Sequence, residues 1–198
     1  MEAKIYLAKM RASIEKEYGA RWGEIYTHFP EHTYIDPDNV EAVRELLNGK
    51  NFTPIHIQMT LILKDGNETV LGFNVPSALD LWNDYLHAID AIIHDGCVQR
   101  MYGIDPVIME MELLSEGLVQ FKVGNEYPDH VFVNAKLPAV PFFLAILNAV
   151  RIFWRKLKCL LVNEKNLPPN NVIDFDRLME WIDSLISKVR ALSQDKDK

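Results

Sequence analysis

The stretch Leu118–Leu161, LVQFKVGNEYPDHVFVNAKLPAVPFFLAILNAVRIFWRKLKCLL, decides the fold. Val119, Phe121 and Val123 alternate with Gln120 and Lys122. Val131, Val133, Ala135 and Leu137 alternate in the same way with Phe132, Asn134 and Lys136. Successive side chains of a strand point to opposite faces, so each segment has one apolar face. Together they predict a half-buried antiparallel pair. Pro138 closes the second strand. From Val140 to Leu161 nearly every turn carries several large apolar residues, which predicts a long central helix packed on the sheet.

Upstream, Ile55, Ile57, Met59, Leu61 and Leu63 alternate with His56, Gln58, Thr60 and Lys64, and Ile62 is the one apolar residue on the other side. Asp65-Gly66-Asn67 turns this strand back into Thr69–Val75, a predicted hairpin. Ser77-Ala78-Leu79-Asp80 has the shape of a capping box. It predicts a helix over Ser77–His94 that buries Leu79, Trp82, Leu86, Ile89 and Ile93 and stops at Asp95-Gly96. Residues 97–106 show no clear period. Val107–Leu114 predicts a strand with Glu110 and Glu112 on one side and Met109, Met111 and Leu113 on the other.

Toward the N-terminus, residues 2–18 predict a helix, and Tyr26–Tyr34 reads as an irregular aromatic segment. Asp36-Pro37-Asp38 opens a short helix through Val40, Val43, Leu46 and Leu47 to Gly49. Beyond the central helix, 163–171 is a polar connector. A last helix capped near Asp174 places Phe175, Leu178, Ile182, Leu185, Ile186 and Val189 on one face, and Gln194–Lys198 is a frayed tail. The expected fold class is α+β: an antiparallel sheet of two hairpin and meander clusters packed against long amphipathic helices. One domain spans 1–198, with a helical N-terminal segment (1–50), sheet and core helices (51–162) and a C-terminal helix (172–193).

At 198 residues, 48% of them hydrophobic and 25% charged, the chain can bury a substantial core. The net charge of −7 is unevenly placed: residues 1–138 hold 11 Lys and Arg against 21 Asp and Glu, and residues 139–198 hold 10 against 7. An acidic majority argues against nucleic acid as partner, since such binding depends on neutralising phosphates. It suits a basic protein partner. Cys97 and Cys159 form no disulfide framework and no metal-ligand spacing, and they fit a reducing cytoplasm. Charges interleave at the N-terminus, so no secretory signal is expected. The apolar run Leu137–Leu147 falls short of the ~20 residues of a membrane span.

Four constellations of chemical side chains weigh against their bland counterparts. His28-Phe29-Pro30-Glu31-His32 has the H-x-x-E-H spacing of inverted zinc peptidases, but Pro30 breaks the helix that such a site requires. Asp80, Asp84, His87 and His94 share a helical face at metal-binding spacing, yet no second helix offers a matching set. A solvated face explains them better. Arg151, Arg155 and Lys158, with Lys156 beside them, line one side of the central helix, and Glu110, Glu112 and Glu116 mark the outer side of a strand and its turn. These six are the expected partner-binding residues, set against a wet helix edge and an exposed strand face. Gly-rich phosphate loops and nucleophile elbows are absent from the sequence. Trp22, Tyr26, Phe29 and Tyr34 form the densest aromatic run outside the core helices, expected to plug the core rather than to make a sticky surface.

The hairpin–helix–meander–helix order, the acidity and the lack of catalytic motifs resemble the small bacterial immunity proteins of toxin systems. The likeness is one of architecture and covers no signature residue. The leading expectation is a non-catalytic cytoplasmic protein that binds another protein and needs no cofactor. Self-association, a homodimer among its forms, is also expected, because the sheet has edges to cover and the chain carries several apolar helices. The alternative is a small-ligand binder or enzyme with a closed pocket between the sheet and the 140–161 helix, lined by inward groups such as His56 or His130. A third is a metal-dependent hydrolase using His28, Glu31 and His32, or His87 and His94.

Overall fold

A computed structural model of the protein describes residues 1–47, 57–103, 106–127, 129–162 and 174–192. Gly49, Ile55, His56, the connector 163–171 and the tail 194–198 lie outside the described residues.

The chain is α+β with two antiparallel sheets. The first contains β1 (Glu2–Ala8), β2 (Tyr34–Ile35), β3 (Gln58–Asp65) and β4 (Glu68–Leu71), in the order β2-β1-β3-β4. A two-residue β5 (Ala78–Leu79) pairs with the start of β3. The second sheet is a meander in chain order: β6 (Cys97–Met101), β7 (Val107–Leu113), β8 (Leu118–Asn125) and β9 (His130–Pro138). The helices are α1 (Arg11–Tyr18), α2 (Trp22–His28), α3 (Val40–Leu47), α4 (Leu81–Asp95), α5 (Ala139–Val162) and α6 (Phe175–Ala191).

The quoted stretch folds as expected: β8 and β9 pair from Leu118↔Pro138 to Asn125↔His130, and α5 begins directly after Pro138. Phe121 of β8 meets Phe142 of α5 with ring centroids 5.0 Å apart, both fully buried. Further along α5, Trp154 touches Trp82 of α4 at 5.0 Å and Phe175 of α6 at 5.9 Å, so one indole joins three helices. One apolar core takes in residues of both sheets and of α3 to α6.

The N-terminal expectation is corrected. Residues 2–8 form β1, not a helix. Ile5 lies opposite Leu61 and Leu7 opposite Met59, all at most 2% exposed, while Lys4 and Tyr6 take the other face. Pairing with β3 overrides residues that would otherwise suit a helix. The helix predicted from Ser77 begins four residues later, at Leu81. Ala78 and Leu79 pair with Met59 and Gln58, and Asp80 takes the N-cap position in the left-handed region at φ 50°. Its end is as expected, at Gly96 with φ 76°, a conformation that costs glycine little. Residues without a clear period in the sequence, 97–101, supply β6.

Ion pairs fasten α6 in place. Arg151 reaches Asp183 and Lys158 reaches Asp176, both at 3.1 Å, and Lys188 holds Asp90 of α4 at 2.8 Å. The Asp174 carboxylate accepts the Arg177 backbone N–H at 3.0 Å and caps the helix as its sequence predicts. No helix of the described residues is long and apolar enough to cross a membrane.

Candidate functional site

Between β1 and β2 the chain makes two short helices that cannot bury all their apolar residues. Gly19 ends α1 at φ 57°, a single 3-10 turn follows, and α2 stops at His28 because Phe29 leaves helical geometry and Pro30 starts a second 3-10 turn. Ile14 and Ile25 point inward at 2% and 6% exposure. Tyr26 and Phe29 do not: they stand 55% and 42% exposed, one helical step apart. The aromatic run therefore makes a surface, which corrects the expectation that it plugs the core.

Behind Tyr26 lies a pocket of about 290 Å³, lined by Arg11, Trp22, Tyr26, Tyr34, Gln58 and Ser77 among others. The Arg11 guanidinium sits 4.4 Å from the Trp22 ring centroid, a distance at which a cation and an aromatic face attract. At the floor, Gln58 Nε2 donates to Ser77 Oγ at 2.9 Å. Tyr34 forms one wall and packs on Phe73, which also meets Tyr6 at 5.1 Å. Burial pushes the Tyr34 phenol above its ordinary value, and the neighbouring Ser77 hydroxyl works in the opposite sense.

The rim is electrically neutral because its cations are paired locally. Lys9 meets Glu17 at 2.7 Å, Arg11 meets Glu15 at 2.7 Å and Arg21 meets Glu24 at 2.9 Å. The Lys9 hydrogen bond holds the Glu17 carboxyl below its usual range. What remains is an aromatic pocket with an amide and a hydroxyl at its base. Gln58 is the hydrogen-bond partner of Ser77, and an amide is no base for activating a hydroxyl. The arrangement recognises a guest better than it attacks one.

A second depression, a groove of about 530 Å³, runs between the outer side of β1 and α5, with Ile62, Ala145, Ala149 and Ile152 on its walls. Lys4 bridges Asp36 at 2.7 Å and Asp38 at 2.8 Å, and Lys156 also binds Asp38. Hydrogen bonds from Lys156 and then Lys4 lower the Asp38 carboxyl to about 2. The groove is open to solvent. A closed pocket was expected between the sheet and the 140–161 helix; beside β8 that helix packs Phe142 against Phe121, both fully buried, and beside β1 it leaves this open groove. His130 does not point into it: it stands exposed, stacked against Phe132 at 4.6 Å.

The six expected partner-binding residues are scattered. Arg151 and Lys158 turn to α6, as described, and Arg155 is exposed. Glu110 accepts from Gln99 at 3.0 Å and pairs with Lys122 at 3.2 Å on the outer face of the second sheet. Glu112 is exposed one pleat away, and Glu116 is exposed in the following turn at φ 64°. Lys156 and Lys188 reach acidic residues of the first part of the chain, Asp38 and Asp90.

The histidine constellations are likewise separated. His28 ends α2 while Glu31 and His32 belong to the next turn, where His32 packs near Tyr18 and Phe29. On α4, His87 stacks on Trp181 at 4.9 Å and His94 turns to Asp90. Asp84 faces Arg100 and the Gly103 backbone N–H, and burial raises its carboxyl. Among the described residues no three His, Cys, Asp or Glu side chains are grouped to hold a metal ion. Comparison of the chain with protein-family models, with curated proteins and with solved structures finds no match.

Proposed function

We propose that this protein acts by binding another protein through the aromatic face of α1 and α2, with the pocket behind Tyr26 taking an aromatic or long aliphatic side chain of the partner. The observation that carries this reading is the exposure of Tyr26 at a pocket that also presents Trp22 and Arg11, with Phe29 exposed one helical step further along the chain. Tyrosine, tryptophan and arginine are the residue types that dominate binding energy at protein interfaces, clustered around pockets that shed water. The neutral rim asks for apolar complementarity, so a basic partner is not required here. Neither Cys97 nor Cys159 is in a disulfide, which fits action in a reducing compartment such as the cytoplasm.

The test is quantitative capture from the native cell with the full chain and with a Tyr26→Ser/Phe29→Ser variant. Both positions are exposed, so the variant should melt with the wild type. The reading expects at least one protein to be enriched by the wild type and lost, tenfold or more, from the variant. Identical capture by both chains would overturn it.

One observation favours a second reading, a small-ligand site in the β1–α5 groove. Its volume lies within the ~300–1,000 Å³ typical of ligand pockets. This reading expects a compound that raises the melting temperature of the wild type but not of Ile152→Asp, and it falls if a broad metabolite panel shifts neither.

A further inference from the structure

Among the described residues, the free edge of the second sheet lies along β6, and its backbone has a simple parity. Leu113 donates its N–H to Gly96 O, and Tyr102 donates to Val107 O, each at 2.8 Å. In an antiparallel ladder these bonds recur at every second residue, so Gly96, Val98, Arg100 and Tyr102 bond to β7. The N–H and C=O groups of Cys97, Gln99 and Met101 therefore point away from the sheet. Their side chains lie on its solvent face and are all exposed, Met101 by 49%.

Natural sheet edges are usually guarded by a lysine, a proline, a bulge, an inward-pointing charge or an overlying element, and of the side-chain devices β6 has only the inward Arg100, near Asp84 of α4. The opposite edge strand, β9, shows three such devices: a register shift opposite Val123 and Gly124, Lys136, and a closing Pro138. By contrast, β6 keeps five unbroken pairs with β7 and carries no proline. Its three solvent-face side chains are a thiol, an amide and a thioether, none of them charged. Val98 and Arg100 face the other way, beneath α4, which packs on this strand.

We infer that β6 is the seam of a two-fold homodimer, in which a second copy of this chain pairs antiparallel with it and the two meanders become one eight-stranded sheet. The register is set by the parity. Gln99 opposes Gln99 of the second copy, and Cys97 opposes Met101 of the second copy in both directions. All three outward residues then exchange both backbone hydrogen bonds. No other two-fold register satisfies all six groups. No two like charges meet on the solvent face, which is the self-complementarity that an isologous contact demands. Paired residues of this kind stand about 5.5 Å apart at Cα. The two Cys97 residues, four positions out of step, are separated by about 14 Å along the strands, too far for a disulfide.

Light scattering on the purified full chain at rising concentration should give twice the 22.8 kDa chain mass. A Gln99→Lys/Met101→Lys variant places charges on the seam at exposed sites. It should keep the wild-type circular dichroism and melting and dissociate at concentrations at least tenfold higher. A Cys97→Ser/Gln99→Cys chain should form an intermolecular disulfide under mild oxidation, while Cys97→Ser/Glu112→Cys, one strand inward on the same face, should not. A monomer at every concentration, or a dimer indifferent to the two lysines, would overturn the inference. So would a Gln99→Cys chain that links to a different polypeptide in the cell, which would assign the edge to that partner.

Discussion

The amide of Gln58 donates to the Ser77 hydroxyl at 2.9 Å, joining two residues 19 positions apart in the chain. That bond fixes the segment before β5 against the start of β3 and forms the base of the aromatic pocket. Ser77 is buried and Gln58 is exposed, so the bond matters more to the shape of the pocket than to stability. Gln58→Ala should lower stability by about 1 kcal/mol, the ordinary worth of one hydrogen bond, or roughly 2–4 °C in melting for a chain of this size. Its effect on partner affinity should exceed its effect on melting.

Gly103 is a backbone requirement. It sits at φ +66°, and a Cβ there would lie 2.5 Å from Ala78 Cβ and 2.6 Å from the Leu79 carbonyl oxygen. The second contact is with backbone and cannot swing aside. Gly103→Ala should cost at least ~2 kcal/mol. Gly66→Ala, at φ +58° with nothing within 4 Å, should cost about 1 kcal/mol from backbone strain alone. Parallel urea melts of the two variants check the difference.

Trp154 should be among the costliest positions in the core. It is fully buried and contacts Trp82, Phe153 and Phe175 at 5.0, 5.4 and 5.9 Å. Trp154→Ala removes the side chain that joins α4, α5 and α6 and should cost about 3–5 kcal/mol. Loss of near-ultraviolet dichroism at room temperature, with far-ultraviolet signal retained, would mark the loosened helices.

The Lys4–Asp38–Lys156 cluster predicts an acid dependence. Asp38 is lowered from its ordinary 3.8 to about 2 in the folded chain. A depressed folded value means that its stabilisation is present above the ordinary value and is lost as pH falls from 3.8 through about 2. The side chain is 56% exposed, so screening holds the contribution to about 1 kcal/mol or less. Asp38→Asn should therefore melt a few degrees below wild type at neutral pH and together with it near pH 2.

The parts of the fold legible in sequence were those where one pattern dominates. The β8–β9–α5 stretch alternates, then carries large apolar residues on nearly every turn, and each period admits one structure. Residues 2–8 misled because Glu2, Ala3, Lys4 and Leu7 favour helices, and only the pairing with β3 makes them a strand. The trace of that strand, buried Ile5 and Leu7 alternating with Lys4 and Tyr6, is too short to outweigh propensity. Ser77 looked like a cap because its hydroxyl could serve one, but Gln58 takes it instead. The aromatic run from Trp22 to Tyr34 stood out in the sequence. Its exposure did not, since that depends on which face of α2 meets the sheet, and Ile25 wins that position over Tyr26. No local signal joins Gln58 or Ser77 to that run. Lys158 and Arg151 looked available because α6 lies across a connector, and the sequence does not show that Asp176 and Asp183 face them.

The most direct test of the binding surface is calorimetric titration of the captured partner, once purified, into the wild-type chain and into Tyr26→Ser/Phe29→Ser. Two hot-spot aromatics lost together predict a dissociation constant weaker by about 30-fold or more, from roughly 2 kcal/mol or more of lost binding, and a smaller negative heat-capacity change. Equal affinities for the two chains would contradict the assignment of this face as the site of recognition.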